Sequence, residues 1–215
     1  MATKAYFIGL GGCGLKTVSE LQQKLCPDGN NQDYVFTYVD TDDKTVEGIN
    51  KDGKVIIRNS DLINLGQANP YRIYMGAQGG YEPKQKRFME WIIPQDGTAG
   101  FTLPNNMLVD GARGQRMIGR TAVYHRYDDI RNEISSKIST FAKYESTNNE
   151  NIAPQIWVFA SSCGGTGSSM TLDVLYMLHD IVNQRFNCSP EARLVLFMPK
   201  PLIDVNRGKE DYPLN

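Results

Sequence analysis

An apolar run, Ile156-Trp157-Val158-Phe159-Ala160, gives way to Ser161-Ser162-Cys163-Gly164-Gly165-Thr166-Gly167-Ser168-Ser169 and then to an apolar-periodic stretch. The order reads as strand, glycine-rich turn, helix. Glycines in such a turn let a phosphate come close to the main chain, and the helix start aims its N–H groups and its positive end at the same place. The build is repeated at the other end of the chain, where residues 4–9 form an apolar strand that runs into Gly9-Leu10-Gly11-Gly12-Cys13-Gly14. Two phosphate-type turns in one chain imply a sheet that brings both around one nucleotide.

The intervening sequence supports that sheet. A helix follows the first turn, with Val18, Leu21 and Leu25 on one face, and stops at Pro27. Tyr34-Val35-Phe36-Thr37-Tyr38-Val39 is β-rich and ends on Asp40-Thr41-Asp42-Asp43. Strand, helix and strand within about 35 residues make a βαβ unit, hence parallel strands with ligands at their carboxyl ends. Residues 54–58 are a candidate further strand. Residues 59–108 read as an irregular elaboration carrying one helix over 81–93, not a second domain. Residues 117–144 read as one long helix with Val123, Tyr127, Ile130, Ile134, Ile138 and Phe141 on its apolar face. Leu172, Leu175, Leu178, Val182 and Phe186 are the expected apolar face of the helix after the second turn. Residues 193–198 look like a fully buried strand. The expected fold class is α/β, a Rossmann-like parallel sheet with helices on both faces, forming a single nucleotide-binding domain over 1–215.

Composition narrows the function classes. The 215 residues carry 23 Lys and Arg against 24 Asp and Glu, so no basic excess favours nucleic acid or an anionic membrane. No apolar run reaches the roughly 18–20 residues of a membrane span, and no leader is expected at the N-terminus. The four cysteines, at 13, 26, 163 and 188, have neither zinc spacing nor the density of a disulfide scaffold. A reducing cytoplasm is the expected setting.

Each feature has a plain reading beside the functional one. Gly9-x-Gly11-x-x-Gly14 fits a dinucleotide fingerprint, with Asp40 where a ribose-binding acid would stand, but a tight turn would look the same. No G-x-x-x-x-G-K-[ST] motif is present, which excludes an ordinary P-loop nucleotidase. The second turn has no standard place in a dinucleotide domain. Thr166, Ser168 and Ser169 stand where they can cap helix N–H groups or touch phosphate. A third segment, Asp110-Gly111-Ala112-Arg113-Gly114-Gln115-Arg116-Met117-Ile118-Gly119-Arg120, also opens a helix. Its three arginines are solvated, or they meet a terminal phosphate or a neighbour's carboxylates. Asp40, Asp42 and Asp43 are candidates for magnesium contact. Cys13 and Cys163 are small turn residues or reactive thiols. His125 and His179 read as ordinary core or surface histidines, and Trp91 and Trp157 as packing residues. The Met and aromatic side chains of 59–108 face a protein partner or are locally buried.

Taken together, the three loops resemble those of the GTP-binding domain of the tubulin and bacterial FtsZ superfamily, over nearly the whole chain. Gly164-Gly165-Thr166-Gly167-Ser168-Ser169 is similar to the superfamily's G-G-T-G-[ST]-G, with Ser169 in place of the last glycine. Residues 9–18 resemble the first loop, residues 38–42 the exit of the second strand, and residues 111–120 the loop that senses the γ-phosphate, with Gln115 and Arg116 where asparagine is typical. Pro199-Lys200-Pro201-Leu202-Ile203-Asp204 resembles the fifth-strand exit, and the resemblance places the ribose-holding acid at Asp204.

The resemblance implies GTP or GDP as ligand. Its expected contacts are Gly11, Gly12, Cys13, Asp40, Thr41, Gly111, Ala112, Arg113, Gly114, Ser162, Gly164, Gly165, Thr166, Gly167, Ser168 and Asp204. It also implies head-to-tail self-association. The elaboration at 59–108 is longer than in FtsZ and points to a divergent bacterial or phage tubulin-like protein. In the superfamily a central helix and an acidic, water-positioning loop follow the sheet. The chain ends at Asn215, before either, so the expectation is a nucleotide-binding half in which hydrolysis needs that loop from a longer chain or a partner. The alternative is a Rossmann-type enzyme that binds NAD(P) or ATP, and a third reading is a nucleotide-free module that kept the loops as turns.

Overall fold

Strand β1, Ala5–Leu10, is buried along its whole length, because it lies at the centre of a parallel sheet and has a neighbour on each side. The computed structural model describes residues 4–27, 33–51, 57–58, 60–92, 103–145, 155–187 and 190–198. From β1 the chain passes through α1 (Gly11–Leu25), β2 (Tyr34–Asp40), α2 (Asp43–Lys51), β3 (Leu62–Asn64), α3 (Pro70–Ala77), α4 (Pro83–Trp91), α5 (Arg116–His125), α6 (Tyr127–Glu145), β4 (Gln155–Ser161), α7 (Thr166–Phe186) and β5 (Ala192–Phe197). The strand order is β3-β2-β1-β4-β5, and every pairing is parallel. The fold is the expected α/β sheet with helices on both faces.

Alternation along the strands separates two cores. Tyr6, Ile8 and Leu10 of β1 join Ile156, Val158 and Ala160 of β4 on the face covered by α5, α6 and α7. Phe7 joins Phe36, Tyr38 and Phe159 on the face covered by α1, through Leu15 and Val18. A third cluster sits within the elaboration, where Tyr74, Ala77, Phe88 and Ile92 gather, with Met117 and Tyr124 of α5 against them. Phe88 stacks on Tyr124 at 4.2 Å, and Trp91 meets Phe88 edge-on at 4.9 Å. These aromatic side chains are packed internally, whereas Met75, Tyr81 and Met107 are exposed.

Several expectations need correction. Residues 59–108 are not simply irregular: β3 pairs with β2 through Tyr38–Leu62 and Asp40–Asn64, and α3 precedes the expected helix, α4. Asn69 caps α3 by accepting from Arg72 N–H at 3.0 Å, with Pro70 following at the start of the helix. Of the candidate strand at 54–58, only Ile57 and Arg58 are among the described residues, and neither is in a strand. The expected long helix is two helices that part at Arg126 (φ −104°, ψ 20°). Asp128 and Asp129 then stand in the first turn of α6, where the helix dipole favours carboxylates. Ile130, Ile134 and Ile138 of that helix are fully buried as expected; the side chain of Phe141 lies outside the described residues.

On α7 the buried stripe runs through Met170, Val174, Met177, Leu178, Ile181 and Val182, and Leu172 is 69% exposed. Of the expected face, Leu178 and Val182 are buried and Leu175 and Phe186 pack against the core, so Leu172 alone departs from it. β5 is not fully buried either. It pairs with β4 alone among the described strands, and Leu194 and Leu196 on it, with Met198 just after it, are exposed. No described helix is long and apolar enough to cross a membrane.

These placements separate two aliphatic side chains that look alike in sequence. Ile134→Ala removes a fully buried side chain and is expected to lower unfolding stability by about 2–5 kcal/mol. Leu172→Ala is expected to change it by less than about 0.5 kcal/mol. Urea unfolding followed by far-ultraviolet circular dichroism measures both.

Candidate functional site

A parallel sheet delivers all its strands' carboxyl ends to one rim, and here β1, β2 and β4 arrive at Leu10, Asp40 and Ser161. The chain leaves β1 toward β2 on one side and leaves β4 toward β5 on the other, so the strand order reverses between β1 and β4. Ligand sites in open α/β sheets form at such reversals. The loops that open α1 and α7 meet there in close backbone contact. A Cβ on Gly11 would stand 2.7 Å from Gly167 N, and one on Gly167 would stand 2.4 Å from Leu10 O. Gly11 is also at φ +69°, which a side chain would strain.

Two further loops close on the same rim. Thr41, after β2, has its hydroxyl 2.6 Å from that of Thr166 in the β4–α7 loop. Asp42 forms a bridge with Asp110, tying the β2 loop to the one before α5. That third loop turns through left-handed backbone at Gly111, Arg113 and Gly114, with φ of +80°, +48° and +77°. Arg113 is the informative one, since a side chain in this region carries strain that is concentrated at functional loops. Ala112 is buried, and the loop lies on Gly165, where a Cβ would be 2.8 Å from Ala112 Cβ and 2.9 Å from Gln115 N. The structure thus gathers Gly11, Thr41, Asp40, Gly111, Ala112, Arg113, Gly114, Ser162, Gly164, Gly165, Thr166, Gly167 and Ser168 on four interlocked loops. Gly12 and Cys13 lie in the first turn of α1. Asp204 lies outside the described residues.

Three of the helix starts at this rim share an electrostatic feature. Helices α1, α5 and α7 each begin without a side-chain cap and without an acid in the first turn. The start of α2, on the β2 loop, carries Asp43 in its first turn; away from the rim, α6 also has acids in its first turn and α3 is capped by Asn69. The rim therefore concentrates uncapped N–H groups and positive helix ends, the environment that stabilises an anion. The hydroxyls expected to serve as caps turn inward instead. Ser168 donates to the Gly164 carbonyl, Ser169 to that of Thr166 at 2.7 Å, and Thr171 to that of Gly167 at 2.7 Å. They brace the loop's carbonyls, while among its N–H groups that of Cys163 donates to Ser161 Oγ at 3.2 Å.

Asp40 is the group at the rim most altered by its surroundings. Its Oδ1 accepts from Thr41 N–H at 2.7 Å, while buried Oδ2 has no hydrogen-bond partner. Burial pushes its carboxyl up to about 6, Asp42 adds to the rise, and the Thr41 amide opposes it. Asp42 and Asp43 hold their own loop instead: Asp42 accepts from Lys44 N–H and Thr45 Oγ1, and Asp43 from Asn64 Nδ2. Among the described residues no group of three or more His, Cys, Asp or Glu could hold a metal ion. Burial pushes the Cys13 thiol up, which disfavours the reactive thiolate reading for this residue.

The arginines of the third loop separate by partner, which sequence could not foresee. Arg113 pairs with Asp110 at 3.3 Å. Arg116 donates from Nη2 to the Ser162 carbonyl at 2.7 Å. Arg120 lies 4.7 Å over Trp91 and 3.5 Å from Asp173, away from any phosphate role. A cleft of about 610 Å³ lies apart from the loops, between α3, the turn at Asn106 and Met107, and the end of α5.

The model of the family described as tubulin like matches residues 6–215. Among solved structures, the GDP-bound monomer of CetZ1 from Haloferax volcanii is similar, at 13% identity and a TM-score of 0.49. The match covers 90% of this chain and 41% of that one. No curated protein matches.

The Asp40 environment predicts a measurable pH dependence. Its folded value, about 6, lies above the ordinary 3.8. The folded state therefore holds a proton that the unfolded state has lost, and this contribution to stability falls as pH rises from about 4 through about 6. Asp40→Asn keeps the acceptor for Thr41 and removes the charge. At pH 7.5 it is expected to gain on the order of 1–3 kcal/mol and to flatten the slope between pH 4 and 6. Thermal melts of both proteins across that range measure the difference.

Proposed function

From a chain that belongs to the tubulin-like family, we propose a guanine-nucleotide-binding protein that self-associates head to tail according to the nucleotide it holds. The observation that carries this reading is the convergence of loops at the sheet reversal, with the uncapped starts of α1, α5 and α7 on them. In this reading the α1 and α7 loops, through Gly11, Gly12, Cys13, Gly164, Gly165, Thr166, Gly167 and Ser168, cradle the α- and β-phosphates by main-chain N–H groups. Gly111, Ala112, Arg113 and Gly114 report the γ-phosphate, and Ser162, Asp40, Thr41 and Asp204 complete the pocket. The choice of guanine nucleotide rests on the family alone.

Binding and hydrolysis are separable. N–H-lined loops stabilise charge on a polyphosphate, but none of the described residues at this rim is placed to activate water, so hydrolysis draws on an acidic loop from a longer chain or a neighbouring subunit. The side chains of Asp42 and Asp43 are committed to their own loop, and no step is assigned to magnesium. The exposed Met75, Tyr81 and Met107 on the elaboration are the side chains available to a further protein partner. The dinucleotide alternative is weaker, because it gives no role to the second glycine loop or to the left-handed turn at Arg113.

Calorimetry with GTP, GDP, ATP and NAD is expected to show binding of the guanine nucleotides alone. The double substitution Gly165→Ala with Thr166→Ala is expected to weaken that binding at least about tenfold, since it places a methyl group against Ala112 and removes the Thr41 contact. Sedimentation of the full-length protein should increase with GTP over GDP. Equal binding of NAD or ATP would replace this reading with the dinucleotide one.

A further inference from the structure

Among the described residues one buried side-chain atom has no hydrogen-bond partner, and it is Asp40 Oδ2. Asp40 stands at the end of β2 and is 3% exposed. A carboxylate buried in this way is costly unless its charge is met or removed. No described group meets it. On its own loop the Thr41 amide is spent on Oδ1, and the neighbouring charge, Asp42, has the same sign. From α2, Lys44 pairs with Asp110, Asp43 is held by Asn64 of β3, and the Thr45 hydroxyl donates to Asp42. The Thr166 hydroxyl, from the loop after β4, is engaged with Thr41. Arg113 of the third loop also pairs with Asp110, and Lys16, early in α1, acts on the Cys13 thiol. No cation is among the groups that move the Asp40 carboxyl, which burial pushes up to about 6.

Gly12 lies beside this oxygen. A Cβ there would stand 3.7 Å from Oδ2, in the turn whose main-chain N–H groups are proposed to cradle the inner phosphates. The rim therefore sets two opposed demands side by side. Its helix starts attract a polyanion, and the carboxyl beneath them repels one when ionised. Burial leaves little water between the two, so the repulsion is weakly screened. The neutral carboxyl removes it at the cost of one proton taken from solvent.

We infer that a nucleotide binds at this rim together with a proton, which Asp40 takes up: the acid is ionised at neutral pH before the nucleotide arrives and neutral beneath the bound phosphates. The inference rests on the nucleotide-binding reading above. Binding raises the affinity of Asp40 for its proton, so nucleotide affinity falls as pH rises through the neutral range. This role differs from that of a ribose-binding acid, which stays ionised and accepts from a hydroxyl. The test measures GDP affinity of the full-length protein by calorimetry between pH 6 and 8, in the wild type and in Asp40→Asn. The variant keeps the acceptor for Thr41 and carries no charge, and it is the substitution expected to stabilise the fold. The phosphate of GDP titrates over part of this range against both proteins alike, so their difference reads Asp40. Wild-type affinity relative to that of the variant is expected to fall about five- to thirtyfold from pH 6 to pH 8. At pH 8 the variant is expected to bind the more tightly. At pH 7 the wild type is expected to take up more protons per GDP, read from the heats in buffers of different ionisation enthalpy. A ratio that holds within about twofold across the range, or a variant that binds more weakly at pH 8, as loss of a ribose acceptor would produce, overturns the inference while the nucleotide reading stands. A wild-type protein that binds no GDP at any pH overturns both.

Discussion

Backbone packs directly on backbone where the turn after β1 meets the turn after β4. A side chain at Gly14 would meet Phe159 O at 2.3 Å, and one at Gly167 would meet Leu10 O at 2.4 Å. The close approach brings α1 and α7, which lie on opposite faces of the sheet, to start side by side at its rim. Everything else at the rim is arranged around that contact. Thr41 reaches Thr166 because β2 lies beside β1, and the third loop can rest on Gly165 because no side chain stands there. Moving the two turns apart by the width of a methyl group would separate the N–H groups that are proposed to act on one ligand.

The same contact explains how the rim tolerates unbalanced charge. Helix starts without caps cost stability, and the protein places a cap or acids at α3 and α6, away from the rim. At α1 and α5 the N-cap residues, Leu10 and Gln115, supply no side-chain cap, and at α7 the hydroxyls of Ser168, Ser169 and Thr171 donate to carbonyls instead. The buried carboxyl of Asp40 follows the same logic: its unpartnered oxygen is held beside Gly12, which has no side chain to cover it. Stability is given up in one place, and the surrounding cores hold the geometry.

Much of this was legible in sequence because glycine clusters after apolar runs allow few structures. β1, α1, β2, β4 and α7 follow from such runs, and the loops after β1 and β4 from their glycines. What stayed hidden depends on partners distant in the chain. β3 has only three residues and exists because it pairs with β2. α3 is an eight-residue helix with Gly76 inside it, and its signal, Asn69 followed by Pro70, is easily passed over among turn residues. The break at Arg126 is marked only by the two aspartates that follow it. That Leu172 of α7 faces outward, and that β5 exposes Leu194 and Leu196, are decided by packing against neighbouring elements and have no local signature.

The three arginines of the third loop show that limit most clearly, and also what the elaboration contributes. Sequence presents Arg113, Arg116 and Arg120 as equivalent, one near the next at the start of one helix. In the fold, Trp91 from α4 takes Arg120 onto its ring and Asp173 of α7 receives its charge. Phe88 and Tyr124 pack beneath the same contact, so the elaboration grips α5 near its start as well as along its length. Any movement at the start of α5 must therefore be carried into α3 and α4, because that helix is a structural member of their small core. An insertion bound in this way does not merely lengthen the chain. It gives the loop before α5 a second body to move, on a surface that the loops themselves do not reach.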